Sequence, residues 1–177
     1  MRIVAGTYGG RKLVAPPGSE TRPTSDRVRE ALFSVLGTSV HDARVLDLFA
    51  GSGALGIEAL SRGARSAVFV DSSRKAIQAV KANLEALGIE ADVRPVAARA
   101  ALRAASGRAE AYDLVFLDPP YRHAAELGRE LSEALAAVLA PGARVITESD
   151  RRAPLQLDLP LADERRYGDT VIRIHDT

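Results

Sequence analysis

Three aspartates follow short apolar runs, at positions where their side chains could take part in chemistry. Asp47 lies near the end of the first run, Asp71 closes the second, and Asp118 follows a later one. If these runs are parallel strands, their carboxyl ends meet at one edge of a sheet, which is where such folds bind ligands. The spacing therefore predicts a ligand site that several carboxylates share.

Glycines follow the first aspartate in a pattern typical of nucleotide-binding loops. Gly51, Gly53 and Gly56 fit G-x-G-x-x-G, and glycine lets the backbone turn tightly and approach a ligand closely. Asp71 comes about 20 residues later, where an acid can accept hydrogen bonds from both ribose hydroxyls. These residues alone would serve a nicotinamide dehydrogenase and a methyltransferase equally well.

Two features separate these alternatives. Asp47 stands four residues before Gly51, where a carboxylate would discourage a pyrophosphate at the helix N-terminus but would suit the ammonium end of a methionine moiety. The later run ends in Asp118-Pro119-Pro120-Tyr121, for which hydride transfer has no use. Together they favour a methyltransferase that uses S-adenosylmethionine.

The tetrapeptide at 118–121 fits methyl transfer to an exocyclic amino group of a base. Such an amine is a poor nucleophile, because its lone pair is delocalised into the ring. The Asp118 carboxylate and the Pro119 carbonyl could accept its two N–H groups and turn the lone pair toward the methyl group. Consecutive prolines hold the loop rigid, and Tyr121 could stack on the base, contributing about 1–3 kcal/mol. Asp118 is also a candidate to take the released proton.

From residue 43 onward the chain alternates short apolar runs with helical patterns, which demands parallel strands joined by crossover helices. We therefore predict an α/β fold with a Rossmann-like, doubly wound and mostly parallel seven-stranded sheet, as in class I methyltransferases. The last two strands should form an antiparallel hairpin at the edge. The predicted strands are 44–48, 66–71, 92–96, 112–117, 145–148, 163–167 and 170–175. The predicted helices are 54–61, one from Ser72 or Ser73 to Gly88, 98–105, and one with Leu127, Leu131, Leu135, Val138 and Leu139 that Pro141-Gly142 ends.

The first 40 residues differ from the rest. Apolar pairs near Ile3 and Leu13 flank a glycine-rich stretch, which indicates a short hairpin, and Thr24-Ser25-Asp26 can start a helix. This segment is locally basic, whereas the remainder is close to neutral. We expect residues 1–40 to form a basic hairpin and helix extension, and residues 41–177 to form the catalytic domain.

Composition excludes several classes of protein. The 177-residue chain has no cysteine, and its three histidines are scattered, so we predict no metal. No apolar run approaches the ~18–20 residues that span a bilayer, and the N-terminus has no long apolar stretch typical of a secretory signal. We therefore expect a cytoplasmic protein without a membrane segment. A monomer is the default expectation.

Five motifs resemble the RsmD-type methyltransferases of bacteria, which act on guanine N2 of small-subunit ribosomal RNA. The resemblance extends over nearly the whole chain, and its most specific parts are the second and the last motif. The motifs lie at Arg2–Gly6 with Gly10–Leu13, Arg22–Glu30, Asp47–Gly53, Asp118–Tyr121 and Tyr167–Thr170. It implies S-adenosylmethionine as cofactor and 16S ribosomal RNA in the small ribosomal subunit as partner.

The resemblance also implies roles for individual residues. The segment before the first strand covers the cofactor in similar proteins, so Thr24 and Arg27 would help to close its methionine end. The basic hairpin would contact RNA. Family members often carry a polar residue near the adenine, but this chain has Val96-Ala97-Ala98-Arg99, which leaves a backbone N–H at Ala98 or Arg99 as the substitute. The expected cofactor-binding residues are Thr24, Arg27, Asp47, Phe49, Gly51, Ser52, Gly53, Gly56, Asp71, Ala98 and Asp118, and the expected RNA-binding residues are Arg2, Arg11, Lys12 and Arg22.

Other readings stay open from the sequence. The main rival is a DNA amino-methyltransferase acting on adenine N6 or cytosine N4, although such enzymes usually bring a recognition region for which this chain has little room. A glutamine-modifying enzyme would typically have Asn at position 118. A non-catalytic RNA-binding module would bind RNA without the cofactor. The sequence does not identify the target nucleotide, although one short basic extension favours a preassembled particle as the substrate.

Overall fold

The computed structural model describes residues 1–18, 25–119 and 124–177, with side chains of the last range described from residue 127. The strands are β1 (Arg44–Asp47), β2 (Ser66–Val70), β3 (Asp92–Arg94), β4 (Tyr112–Leu117), β5 (Leu139–Asp150), β6 (Leu161–Tyr167) and β7 (Thr170–Asp176). The helices are α1 (Asp26–Leu36), α2 (Ala54–Ser61), α3 (Arg74–Leu87), α4 (Ala98–Gly107) and α5 (Ala124–Ala136), with a 3-10 turn at Gly37–Val40.

One seven-stranded sheet contains all these strands, in the order β3-β2-β1-β4-β5-β7-β6. The first five strands are parallel to one another, whereas β7 pairs antiparallel with both β5 and β6. The chain order steps outward from β1 to β3 and then returns to β4, so the reversal of strand order lies between β1 and β4. The predicted seven-stranded, mostly parallel sheet and its antiparallel C-terminal hairpin are confirmed.

The predicted end of the last helix is wrong. Helix α5 ends at Ala136, and Val138 and Leu139 lie beyond it rather than on its apolar stripe. Strand β5 already begins at Leu139, which pairs with Tyr112. The Pro141-Gly142 pair sits in a bulge within this strand rather than after a helix, because the register jumps there and Gly142 has a φ of 73°. The helical spacing of apolar residues continues past the end of α5, because Val138 and Leu139 pack into the same core as the helix.

The third strand is shorter than the predicted 92–96. It ends at Arg94, and Pro95, which has no N–H to donate to a neighbouring strand, comes next. The N–H of Val96 turns back to the Arg94 carbonyl at 2.9 Å. This turn leads directly into α4.

Each face of the sheet carries its own apolar core. One face packs α1, α2 and α3 against the strands, with Phe33, Ile57 and Val80 fully or almost fully buried. The other face packs α4 and α5, with Leu102 and Leu131 buried. Because helices cover both faces of the sheet, the fold is doubly wound. A ligand can therefore reach the sheet only at the ends of its strands. Among the described residues, no helix is both long enough and apolar enough to cross a bilayer.

The N-terminal extension docks on α2 through a buried carboxylate. Its hairpin closes with an antiparallel bridge between Arg2 and Lys12, as predicted. The Glu58 side chain, on α2, accepts the backbone N–H groups of Val4 at 2.7 Å and Ala5 at 3.0 Å. Ile3 and Leu13 are buried in the same core as α1 and the sheet. The extension is therefore part of the packed molecule rather than a separate arm.

Candidate active site

Three carboxylates lie on one face of the sheet near the carboxyl ends of adjacent strands. The Leu48 N–H donates to the Phe116 carbonyl at 3.1 Å, and Leu117 pairs with Thr147, which fixes the register of β1, β4 and β5. Successive side chains of a strand alternate between faces. The side chains on the same face of the sheet as Phe116, the face that packs against α2, therefore include those of Asp47, Asp118 and Glu148.

Glu148 is the member of this group that sequence reasoning missed. The apolar run at 145–148 predicts a strand that contains it, but no motif assigns it a role. It obeys the rule that identified the three aspartates, because it is an acid near the carboxyl end of a parallel strand. Its side chain is buried, with 5% of the residue exposed.

Burial and mutual repulsion perturb two of these carboxyls. Burial raises the pKa of Asp47 to about 7; the N–H of Gly56 opposes this rise, and the charge of Asp71 adds to it. Burial also raises the pKa of Asp118 well above its ordinary value, and the charges of Glu148 and Asp47 raise it further. An edge of this kind favours a ligand that brings positive charge or N–H donors.

Asp71 organises the glycine loop from the end of β2. Its carboxylate accepts the Gly51 N–H at 2.9 Å and the Ser73 N–H at 2.8 Å. Gly51 has a φ of 56°, and a Cβ there would meet only the Phe49 carbonyl oxygen, at 3.9 Å. Open space over a left-handed glycine is what a ligand that approaches the backbone requires.

The third glycine of the motif serves packing. A Cβ on Gly56 would lie 2.4 Å from Cε1 of Phe69, whose ring is buried on β2. The Gly56 N–H, in the first turn of α2, donates to Asp47 at 3.1 Å. Asp47 therefore also caps α2, a structural role that the spacing did not predict.

Ser52 is held from the side of the N-terminal extension. Its hydroxyl contacts the Met1 sulfur at 3.4 Å, and its carbonyl accepts Nδ2 of Asn83, on α3, at 2.8 Å. The same Asn83 side chain accepts the Val14 N–H at 2.8 Å and donates to the Val14 carbonyl at 3.0 Å. Asn83 thus joins the extension to the glycine loop. A lone asparagine on a helical stripe gave no sequence signal for this role.

Three further predicted residues follow the carboxyl ends of β1, β3 and β4. Phe49 is half-buried against the α4-side core. Helix α4 begins at Ala98, and Ala97 before it provides no side-chain cap, which fits a first turn whose N–H groups face a ligand. Pro119 is buried directly after Asp118. Thr24, Arg22, Pro120 and Tyr121 lie outside the described residues, so their predicted roles stay predictions.

The predicted RNA-binding residues lie on the extension, away from the carboxylates in sequence. Arg11 and Lys12 are exposed on the hairpin, and the Arg2 guanidinium is 3.5 Å from Asp26. An open groove of about 450 Å³ separates the hairpin from α1 and is lined by Arg2, Ile3, Val4, Gly10, Asp26, Arg27 and Glu30. Arg27 therefore lies in the same groove as Arg2. Among the described side chains, those of residues 1–18, 25–119 and 127–177, no three acidic, histidine or cysteine side chains are grouped to hold a metal ion.

The fold and the site together define a class I S-adenosylmethionine-dependent methyltransferase. The glycine loop follows β1, the acid that organises it follows β2, and Asp118-Pro119 follows β4 at the reversal of strand order. Residues 1–176 match the family described as Conserved hypothetical protein 95, and the chain belongs to this family. The resemblance to RsmD-type methyltransferases that the motifs indicated is confirmed.

Several relatives carry the name ribosomal RNA small subunit methyltransferase D, among them the following two. The protein of Escherichia coli K12 is 43% identical over 122 residues, which are 69% of this chain and 61% of that protein. The protein of Haemophilus influenzae is 34% identical over 163 residues, which are 88% of this chain and 81% of that protein.

Solved structures agree with the fold. The Escherichia coli protein yhhF is 34% identical and superposes with a TM-score of 0.83, covering 99% of this chain and 97% of that one. The 16S rRNA N2 G1207 methyltransferase RsmC of T. thermophilus, solved with AdoMet and guanosine, is 22% identical with a TM-score of 0.71, covering 92% of this chain and 45% of that one. At that identity, the second likeness shows the fold alone.

Proposed function

We propose that this protein transfers a methyl group from S-adenosylmethionine to the exocyclic N2 amino group of one guanine in 16S ribosomal RNA. The observation that carries the proposal is Asp118 at the carboxyl edge, beside Asp47 and Glu148 and followed by the buried Pro119. The names of two relatives point to small-subunit ribosomal RNA. The proposed substrate form is an assembled or assembling small subunit, and the proposed setting is a monomer in the cytoplasm.

The residues at the edge fit S-adenosylmethionine, which when bound supplies a methyl group on a positively charged sulfur. Asp71 would accept the ribose hydroxyls, because each carboxylate oxygen can take a second hydrogen bond beside the N–H it already accepts. Gly51 leaves room for the ligand over the loop, whereas a Cβ on Gly53 would contact the core side chains of Ile57, Phe69 and Val80 at 3.3–3.4 Å. Ser52 and Phe49 would complete the loop. The buried Asp47 would attract the ammonium group of the methionine end.

Other cofactor contacts follow from the resemblance and from α4. Ala98 at the start of α4 would offer a backbone N–H to the adenine, since no side-chain cap occupies that turn. Thr24 and Arg27 would help to close the methionine end of the cofactor, as the resemblance implies. Because Arg27 also lines the groove with Arg2, the variant Arg27→Ala separates the two roles: a cofactor contact changes the KM for S-adenosylmethionine, and an RNA contact changes the KM for RNA.

Asp118 would prepare the amino group for attack. Its carboxylate and the Pro119 carbonyl accept the two N–H groups of guanine N2, which aims the nitrogen lone pair at the methyl group. The N–C bond forms as the S–C bond breaks, and one N2 proton leaves to Asp118 and then to water. The raised pKa of Asp118 makes it a better proton acceptor than an ordinary carboxylate. Tyr121 is the proposed stacking partner of the base.

The extension would bind the RNA backbone. Arg2, Arg11 and Lys12 project from one hairpin, and Arg22 belongs to the segment that follows. Cations of this kind bind phosphates without reading sequence. Selection of one nucleotide would then depend on the shape of the particle and on the site itself.

The test is transfer of labelled methyl groups to small ribosomal subunits, to their naked RNA and to duplex DNA, followed by nucleoside analysis. The subunits should come from cells that lack this protein. We expect N2-methylguanosine from subunits and none from DNA. Label only in DNA would replace the proposal with an adenine or cytosine amino-methyltransferase, and RNA binding with no label in any substrate would indicate a non-catalytic module.

A further inference from the structure

Glu148 stands beside Asp118 but has no part in the methyl transfer described above. It lies on β5 one residue after Thr147, which pairs with Leu117 of β4, so it is level with Asp118 on the adjacent strand. On its other side it pairs with Ile172 of β7. Alternation along the strand places its side chain with Ile146, on the same face as Phe116 and Asp118.

Glu148 places an acid inside the sheet, beside another acid. Glu148 is buried to 5% exposure among strands, and its charge raises the pKa of the neighbouring Asp118. The carboxylate of Glu148 repels that of the partly buried Asp118, and N–H donors on a bound base would relieve this repulsion. Glu148 already has contacts within the protein, so a donor from a base would add to them.

Guanine presents donors that match two adjacent carboxylates. Its N1–H and its N2 amino group lie side by side on one edge. Adenine and cytosine also carry an amino group there, but the neighbouring ring nitrogen is an acceptor, which a carboxylate repels. An ionised carboxylate accepts about four hydrogen bonds, so contacts within the protein leave capacity for one from a base.

We propose that Glu148 accepts the N1–H of the target base and thereby selects guanine, while Asp118 and Pro119 engage its N2 amino group. This inference rests on the proposed function, since it assumes that N2 of guanine is the methylated atom. Glu148 would be a specificity-determining residue, and its loss should affect the choice of base more than cofactor binding.

The test compares guanine with 2,6-diaminopurine at the target position. The analogue keeps the 2-amino group but has an acceptor at N1. The target is first located by mapping the product, and small subunits are then reconstituted from ligated RNA that carries either base. We expect the wild-type protein to prefer guanine in kcat/KM by about ten- to a hundredfold, the discrimination of one good base contact.

Glu148→Gln should reduce this preference to near unity, because its amide can donate to the acceptor N1 of the analogue. Glu148→Asp should be slower yet keep the preference for guanine, since it keeps the charge. The matched control is Glu133→Gln, on the exposed side of α5, which should behave as wild type. Binding of S-adenosylhomocysteine, measured by calorimetry, should be the same for all four proteins.

The outcomes separate the two proposals. If the wild-type protein forms no N2-methylguanosine, the proposed function fails. If it does so, but Glu148→Gln keeps the full preference for guanine, the role of Glu148 is overturned while the proposed function stands. The inference is also overturned if Glu148→Asp loses the preference as Glu148→Gln does. Should the Gln variant fail to fold, the rate of the Asp variant decides: methylation of guanine at the wild-type kcat/KM overturns the role of Glu148.

Discussion

Buried carboxylates occur in two regions of this molecule, and their surroundings are opposite. Glu58, under the N-terminal extension, is fully buried and accepts hydrogen bonds from two backbone N–H groups and from Arg62 at 2.7 Å. It also forms an ion pair with Arg29 at 3.7 Å. Asp47 and Asp118, at the carboxyl edge of the sheet, have other carboxylates as charged neighbours. Carboxylates in the first region stabilise the packing of the extension, whereas those in the second are placed to bind a ligand.

Arg29 strengthens this contrast. Its side chain is fully buried, and it also donates to Asp26 at 2.8 Å and to the Arg2 carbonyl. The charges under the extension therefore form a network that ties α1, α2 and the hairpin together. A network of this kind can be worth more than the sum of its pairs.

Glu58→Gln tests whether the charges under the extension stabilise the fold, and it should have the largest effect. Removing the charge of Glu58 takes the ion-pair partner from Arg62 and leaves Arg29 paired with Asp26, so we expect the free energy of unfolding to fall by about 3–5 kcal/mol. Urea unfolding followed by circular dichroism measures it. The control Glu133→Gln changes an exposed glutamate and should leave the midpoint unchanged. A Glu58→Gln protein as stable as wild type would contradict the structural role.

Gly56→Ala tests the packing under the glycine loop. The added methyl group would lie 2.4 Å from the Phe69 ring, so α2 has to move away from β2, at a cost of about 1–3 kcal/mol. Because the first turn of α2 also contacts Asp47, cofactor affinity should fall as well. The matched control is Gly107→Ala at the end of α4, where a Cβ meets nothing within 4 Å. Equal effects of both changes would refute the packing argument.

The smallest expected effect is the release of a proton from Asp47 when a ligand binds. Its pKa is raised from 3.8 to about 7 in the folded protein, so its contribution to stability is fully present below about pH 4 and is lost as the pH rises through 7. A bound ammonium group would lower this pKa again. We therefore expect S-adenosylhomocysteine to bind with release of about half a proton at pH 7.

Calorimetry in buffers of different ionisation enthalpy measures that proton release. Asp47→Asn, which removes the titrating group, should abolish it and weaken binding. Release that persists in Asp47→Asn would assign the proton to another group and remove the argument for Asp47 as the ammonium partner.

The sequence predicted what depends on neighbours along the chain. The glycine loop, Asp71 and the strands around Asp47 and Asp118 gave clear signals, because strand runs and glycine spacing are local patterns. The end of α5 was misplaced, since Val138 and Leu139 fill the core as well from a strand as from a helix. A bulge at Pro141-Gly142 depends on the register with β4, which no local pattern specifies.

What the sequence missed depends on contacts between distant segments. Glu58 and Arg29 meet across 29 residues, and Asn83 reaches Val14 across 69, so neither pairing can be inferred from spacing. Glu148 is the exception. The rule that predicted Asp118 applied to it as well, and its importance emerges only when β5 is known to lie beside β4.

The most direct test of the account is the single-turnover rate of methyl transfer by Asp118→Asn, measured with saturating S-adenosylmethionine and small ribosomal subunits. The account predicts a loss of about 100-fold or more, the usual contribution of a positioned acid or base. Stability should be equal or higher, because a repelling buried charge is removed. Near-normal turnover by Asp118→Asn would contradict the assignment of this edge as the reacting centre.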